Sequence, residues 1–215
     1  PLASPATVRG AAGFGVLVAL ILMAERYGDP AAPATELLAD DRAARFGALV
    51  VTLAGLAVLG FFRGRTAGRE GPALVVIATI GAAALAGATH AASLFLGLEI
   101  ASLALVALFA FSLDRPALEA GYKSLLTAGT AAAALLLGIA LAFAVTGALD
   151  LSIWSGDGRM VPLASAFLVA ALAFSFSLVP FHAWTPDVFE GASAGAAAFA
   201  GVATKIAVGI VLLRL

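Results

Sequence analysis

Four ionisable side chains fall in or beside stretches that are otherwise almost wholly apolar. Glu99 sits in the middle of Phe95-Leu-Gly-Leu-Glu-Ile-Ala-Ser-Leu103, Lys123 near the start of the apolar run 121–145, and Lys205 near the centre of the last run, 192–213. His182 lies between two prolines six residues apart, Pro180 and Pro186, with Asp187 and Glu190 just beyond. A charge at membrane depth costs about 2.5–3.5 kcal/mol on insertion scales and is a candidate functional site by default. Low-dielectric surroundings disfavour the charged form of any ionisable group, so such a group can exchange a proton when a partner moves. That is the requirement for a proton relay, and Glu99, Lys123, Lys205 and His182 are its candidate members. Static readings stand beside it: Lys123 snorkelling to the interface, Glu99 and Lys205 as a structural ion pair, and His182 as a hydrogen-bonded packing residue. Asp187 and Glu190 are expected to cap a helix restart or to lie at the surface, since carboxylates suit a helix N-terminus.

The elements that must position these groups are membrane helices. The 215 residues are 62% hydrophobic and 12% charged, with a mean hydropathy of +1.08. Such a chain is an all-α integral membrane protein rather than a water-soluble domain. A net charge of −1 excludes a nucleic-acid partner, because nothing could neutralise a run of phosphates. With no cysteine, disulfides and cysteine-bound iron–sulfur clusters are excluded within these residues. Two histidines, His90 and His182, are too few for a self-contained haem or zinc site, so no metal or cofactor is expected. The chain starts at Pro1 without a signal-peptide cleavage pattern, which reads as a piece of something longer.

Apolar runs predict about seven transmembrane helices. The first two are 8–24 and 46–62, separated by a polar segment 25–45 with five acidic and three basic residues. Pro72 opens a run reaching Leu113, too long at 1.5 Å per residue for one crossing of a core of about 30 Å. The polar interruption Ala88-Thr-His90 therefore predicts a tight turn between helices 73–89 and 92–112. The fifth helix is 121–145, the sixth runs from Val161 to a break at Pro180–Pro186, and the seventh is 192–213. Proline removes a donor and clashes with the preceding turn, so one continuous helix through both prolines is not expected. Non-helical backbone at membrane depth survives only inside protein or against a wet cavity. The link with Arg63, Arg65 and Arg69 is the most basic and is assigned to the cytoplasm, which puts 25–45 and 147–160 on the opposite face.

These motifs resemble a known family. Ser177-Leu-Val-Pro-Phe-His-Ala-Trp-Thr-Pro-Asp-Val-Phe-Glu-Gly-Ala192 resembles the signature of the N-subunit family of respiratory complex I, the antiporter-like membrane subunits of proton-pumping NADH:quinone oxidoreductase. The stretch around Glu99, Arg115-Pro-Ala-Leu-Glu-Ala-Gly-Tyr-Lys-Ser124, and Ala203-Thr-Lys-Ile-Ala207 resemble its glutamate helix, its next segment and its following lysine helix, in the same order. The resemblance implies a subunit built from two inverted five-helix repeats, of which this chain holds N-terminal helices (1–71) and the first repeat with its broken helix (72–215). It also implies that Glu99, Lys123 and Lys205 carry protons, with NADH, FMN, iron–sulfur clusters and quinone in partner subunits of a bacterial inner-membrane assembly. One position departs from the family pattern. A lysine expected in the broken helix is replaced by Ser175 in Phe174-Ser175-Phe176-Ser177-Leu178-Val179-Pro180. Serine can hold a water but cannot store a proton near neutral pH. The competing expectations are a cation/proton antiporter subunit, a membrane-bound hydrogenase subunit, and a non-pumping spacer of the membrane arm.

Overall fold

The computed structural model describes residues 4–29, 32–33, 35–61, 70–151 and 159–215. Its helices are α1 (Pro5–Glu25), α2 (Arg42–Leu59), α3 (Glu70–Ala86), α4 (Ala91–Phe109), α5 (Arg115–Thr146), α6 (Val161–Phe176), α7 (Trp184–Gly191), α8 (Ala194–Phe199) and α9 (Lys205–Arg214). Ala200–Thr204 is a π-helical turn that joins α8 to α9. Five of these helical stretches are long and apolar enough to cross a membrane, and α3 and α6 are two shorter apolar ones. The fold is therefore an all-α, multi-pass bundle with seven apolar helices among the described residues. Arg63, Arg65, Arg69, Trp154 and Asp157 lie outside the described residues.

Short polar caps set the helix boundaries. Asp41 accepts a hydrogen bond from the Ala44 amide at the start of α2, 2.8 Å, and Asp114 accepts from the Ala117 amide at the start of α5, 2.9 Å. Each side-chain oxygen satisfies one of the amides that a helix N-terminus leaves without a partner. His90 does the same for α4, its Nδ1 accepting from the Ala92 amide at 3.1 Å. The turn expected at Ala88-Thr-His90 is thus present, built on His90 as a cap. α5 starts six residues earlier than the apolar run suggested, because Pro116 fits the first turn of a helix capped by Asp114. It ends at Gly147, whose φ of +66° suits glycine.

The bundle packs through small residues. A Cβ at Gly97 of α4 would lie 2.8 Å from the Leu85 nitrogen, and one at Gly81 of α3 would lie 2.5 Å from the Ala101 nitrogen. The α3 and α4 backbones approach each other through these two reciprocal gaps. Close approach of this kind is what small residues provide where lipid removes the hydrophobic drive between helices.

One face of the bundle is tied together by backbone pairing. Ala32–Pro33 pairs antiparallel with Ala39–Asp40, the Ala39 amide donates to Gly87 O at 2.8 Å, and Leu151 N donates to Thr89 O at 3.1 Å. Segments 32–33, 39–40, 87–91 and 149–151 therefore share one side, as the charge pattern predicted for the loops they belong to. Two ion pairs reinforce it. Arg45 holds Asp40 (Nε–Oδ1 2.7 Å) and also donates to the Arg26 and Asp29 carbonyls. Arg214 at the end of α9 holds Asp41 at 2.7 Å.

The Arg45 guanidinium beside Asp40 holds its carboxyl below the usual carboxylate range, with burial opposing it. For Asp41 burial pushes upward, but the Ala44 amide and Arg214 outweigh it and the result is again lowered. A carboxyl depressed in the folded state contributes stability that is fully present above its unfolded value, about 3.9, and lost as the pH falls through the folded value. Asp40→Asn is therefore expected to lower the melting temperature in detergent at pH 7 and to narrow the gap between pH 7 and pH 3. A gap as wide as the parent's would count against this role.

Candidate functional site

The break in the sixth crossing runs from Ser177 to Ala183, between the end of α6 and the start of α7. It begins three residues before Pro180, because Ser177 takes a left-handed conformation with φ +61° and closes α6 there. Pro186 lies outside the break, in the first turn of α7, where a missing amide is tolerated. Seven residues thus separate the half-helices α6 and α7. Phe181 folds back over Phe174, with ring centroids 4.3 Å apart.

Lys205 points at this break. Its side chain starts just after the π-helical turn, about 16 Å along the last crossing from Ala194. Its ammonium donates to the Ser175 carbonyl at 2.7 Å and to Ser177 Oγ at 2.6 Å. It also lies 5.7 Å from the centroid of the Trp184 ring, within cation–π range. The Ser175 and Ser177 contacts place a positive charge at the C-terminal end of α6, where carbonyls lack partners and the helix dipole is negative. π turns inside helices are frequent at functional sites, and this one immediately precedes Lys205.

Beside Lys205 is a cavity of about 70 Å³ between α3, α4, α5, α6, α7 and α8–α9. Most of its wall is apolar, with Leu98, Phe109, Phe174, Trp184 and Phe189 among the lining residues. The polar part is Lys205 with Ser102, Ser124, Thr127, Ser175 and Thr204. Four of these hydroxyls spend their hydrogens on their own helices. Ser102 donates to Glu99 O at 3.2 Å, Thr127 to Lys123 O at 3.0 Å, Ser175 to Ala171 O at 3.2 Å and Thr204 to Ala200 O at 2.6 Å. The space is large enough to hold ordered water.

The other sequence-predicted residues lie around this centre. Glu99 is one helical turn before Ser102, and its Oε1 is buried without a hydrogen-bond partner among the described residues. It makes no ion pair with Lys205, so the static Glu99–Lys205 pair does not form. Lys123 precedes the cavity-lining Ser124, but its ammonium is held between Asp187 at 2.6 Å and Glu119 at 2.8 Å. Asp187 thus bonds to α5 as well as sitting in the first turn of α7. His182 is exposed on the break and does not line the cavity; its carbonyl accepts from the Thr185 amide at 3.0 Å. Ser175 lines the cavity, and Glu190 is exposed near the end of α7. Among the described residues no group of three His, Asp or Glu could hold a metal ion.

Sequence reasoning missed Ser177, Thr185 and the lining hydroxyls other than Ser175, whose residue types carry no signal by themselves. The Glu119–Lys123 pair did leave one, since acid and base four residues apart on a helix are neighbours.

Residues 88–215, which include every group above, match the family described as NADH:quinone oxidoreductase/Mrp antiporter, TM. The chain belongs to this family. It is 54% identical over 212 residues to NADH-quinone oxidoreductase subunit N of Rhodopseudomonas palustris (strain BisA53), covering 99% of this chain and 46% of the relative. It is 53% identical to subunit N of Cereibacter sphaeroides (strain ATCC 17025 / ATH 2.4.3), covering 98% and 47%. A chain of respiratory complex I from Thermus thermophilus with bound aureothin superposes with a TM-score of 0.91 at 33% identity, covering 98% of this chain and 48% of that one. The chain thus spans about half the length of the relatives it matches.

Within this member of the NADH:quinone oxidoreductase/Mrp antiporter family, Lys123–Asp187 links α5 to α7. A Cβ at Gly191 would lie 2.5 Å from Pro116 O, so the end of α7 lies directly against the start of α5. Asp187→Asn and Lys123→Gln are each expected to speed hydrogen–deuterium exchange of the α7 amides, and the double variant no more than either single one. Additive effects would mean that the pair does not hold α7.

Proposed function

We propose that this chain is the first half of a proton-translocating membrane subunit of a complex I-type NADH:quinone oxidoreductase in a bacterial inner membrane. In this reading residues 72–215 are its first antiporter-like repeat. The observation that carries the reading is Lys205, a cation inside the bundle that is docked on the open end of α6 beside a hydroxyl-lined cavity. An ammonium held by a carbonyl and a hydroxyl, with no carboxylate paired to it among the described residues, can release its proton without breaking an ion pair. Glu99 stands one turn from the cavity with an acceptor oxygen to spare, and Lys123 begins the helical turn that carries Ser124 and Thr127. Water bridging the hydroxyls would join these groups into one path across the bundle. The redox chemistry, with NADH, FMN, iron–sulfur clusters and quinone, belongs to partner subunits. Coupling is then electrostatic, a change of charge or hydration at one site altering proton affinity at the next.

The path differs from the expected one at Ser175. The family pattern puts a lysine there, whereas here the ammonium of Lys205 itself reaches the Ser175 carbonyl. One amine thus serves the open end of α6. This same substitution favours a second reading, in which the half-subunit is a spacer that transmits no protons. Protons pumped per NADH oxidised, measured in sealed vesicles of the assembled complex, separate the two. For the relay, Lys205→Ala and Glu99→Gln lower the ratio and Ser175→Lys does not raise it. For the spacer, Lys205→Ala assembles and pumps like the parent, and Ser175→Lys raises the ratio.

A further inference from the structure

The contacts around Ser177 carry more than a helix end. Ser177 is one of two non-glycine residues with positive φ among the described residues, at +61°. Glycine is the usual residue where a helix ends in this conformation. Serine there adds one thing glycine lacks, a hydroxyl. That hydroxyl receives the Lys205 ammonium at 2.6 Å and the Thr185 hydroxyl, from the first turn of α7, at 2.8 Å. The left-handed turn brings Ser177 Oγ and the Ser175 carbonyl to the same nitrogen. Three elements therefore meet at one oxygen: the end of α6, the start of α7 and the side chain at the start of α9.

We infer that Ser177 and Thr185 are positioning residues for Lys205, holding its nitrogen in one place through both of its protonation states. This rests on the relay reading above. A hydroxyl has one donor and two acceptor sites. With Lys205 charged, both acceptor sites of Ser177 are taken, by the ammonium and by Thr185. When Lys205 has given up its proton, its nitrogen gains a lone pair that needs a donor. The Ser175 carbonyl cannot supply one, because a carbonyl only accepts. Ser177 can, by turning its own hydrogen toward the nitrogen while Thr185 continues to donate to its oxygen. The amine thus keeps a hydrogen-bond partner of the right kind before and after transfer, and the two half-helices stay tied across the break. A bare carbonyl end would serve the charged state alone.

The test uses the intact complex in sealed vesicles, with protons pumped per NADH oxidised as the readout. Ser177→Gly removes the hydroxyl and leaves a residue suited to the left-handed turn. It is expected to lower the ratio by the same decrement as Lys205→Ala. Thr185→Val, which keeps the shape and loses the hydroxyl, is expected to lower it too, and Thr185→Ser to restore it. This valine–serine pair decides the matter should the glycine variant fail to assemble. If Lys205→Ala lowers the ratio but Ser177→Gly and Thr185→Val pump like the parent, positioning is overturned and the relay stands. A ratio that Lys205→Ala leaves unchanged overturns both.

Discussion

The structure depends on one contact, the ammonium of Lys205 seated on the open end of α6. An interrupted helix leaves carbonyls without partners, and inside a membrane each unmet group costs several kcal/mol. A buried ammonium without acceptors is costly for the mirrored reason. Here the ammonium gives the Ser175 carbonyl a donor and finds acceptors there and at Ser177 Oγ, with no carboxylate paired to it among the described residues. The left-handed Ser177, the π turn before Lys205 and the Thr185 bridge all shape this meeting point. Residues of α3, α4 and α5 line the space beside it.

This economy separates two kinds of charge in the molecule. Arg45, Arg214 and Lys123 are held by carboxylates. Two of them fasten the face where the backbone segments pair, and the third fastens α7 to α5. Lys205 and Glu99, nearer the middle of their crossings, have no such counter-charge among the described residues.

Much of this could be read from the residues alone. The seven apolar runs, the turn at Ala88-Thr-His90 and the break near Pro180 follow from hydropathy, one polar interruption and proline chemistry. Helix boundaries were less legible, since the extension of α5 back to Arg115 rests on a cap at Asp114 that lies outside the apolar run. The break was placed by its prolines, but Ser177 decides where α6 ends, through a backbone conformation that serine seldom adopts. Lys205 and Ser175 could be named as a pair of interest from the altered pattern. Their direct contact spans 30 residues and depends on how two crossings face each other, which no local pattern contains. The same holds for Asp187, whose first-turn position fitted the dipole rule while its bond to Lys123 crosses 64 residues.

The orientation of the cavity hydroxyls has an electrostatic consequence. With the hydrogens of Ser102, Thr127, Ser175 and Thr204 turned to their own helices, the space is faced by oxygen lone pairs. In an otherwise mostly apolar wall these four oxygens can accept hydrogens but do not offer them, and the one charged side chain lining the space among the described residues is Lys205. Water there would find acceptors at these four oxygens, while a small anion such as chloride would meet Lys205 but find no hydroxyl ready to donate among the four.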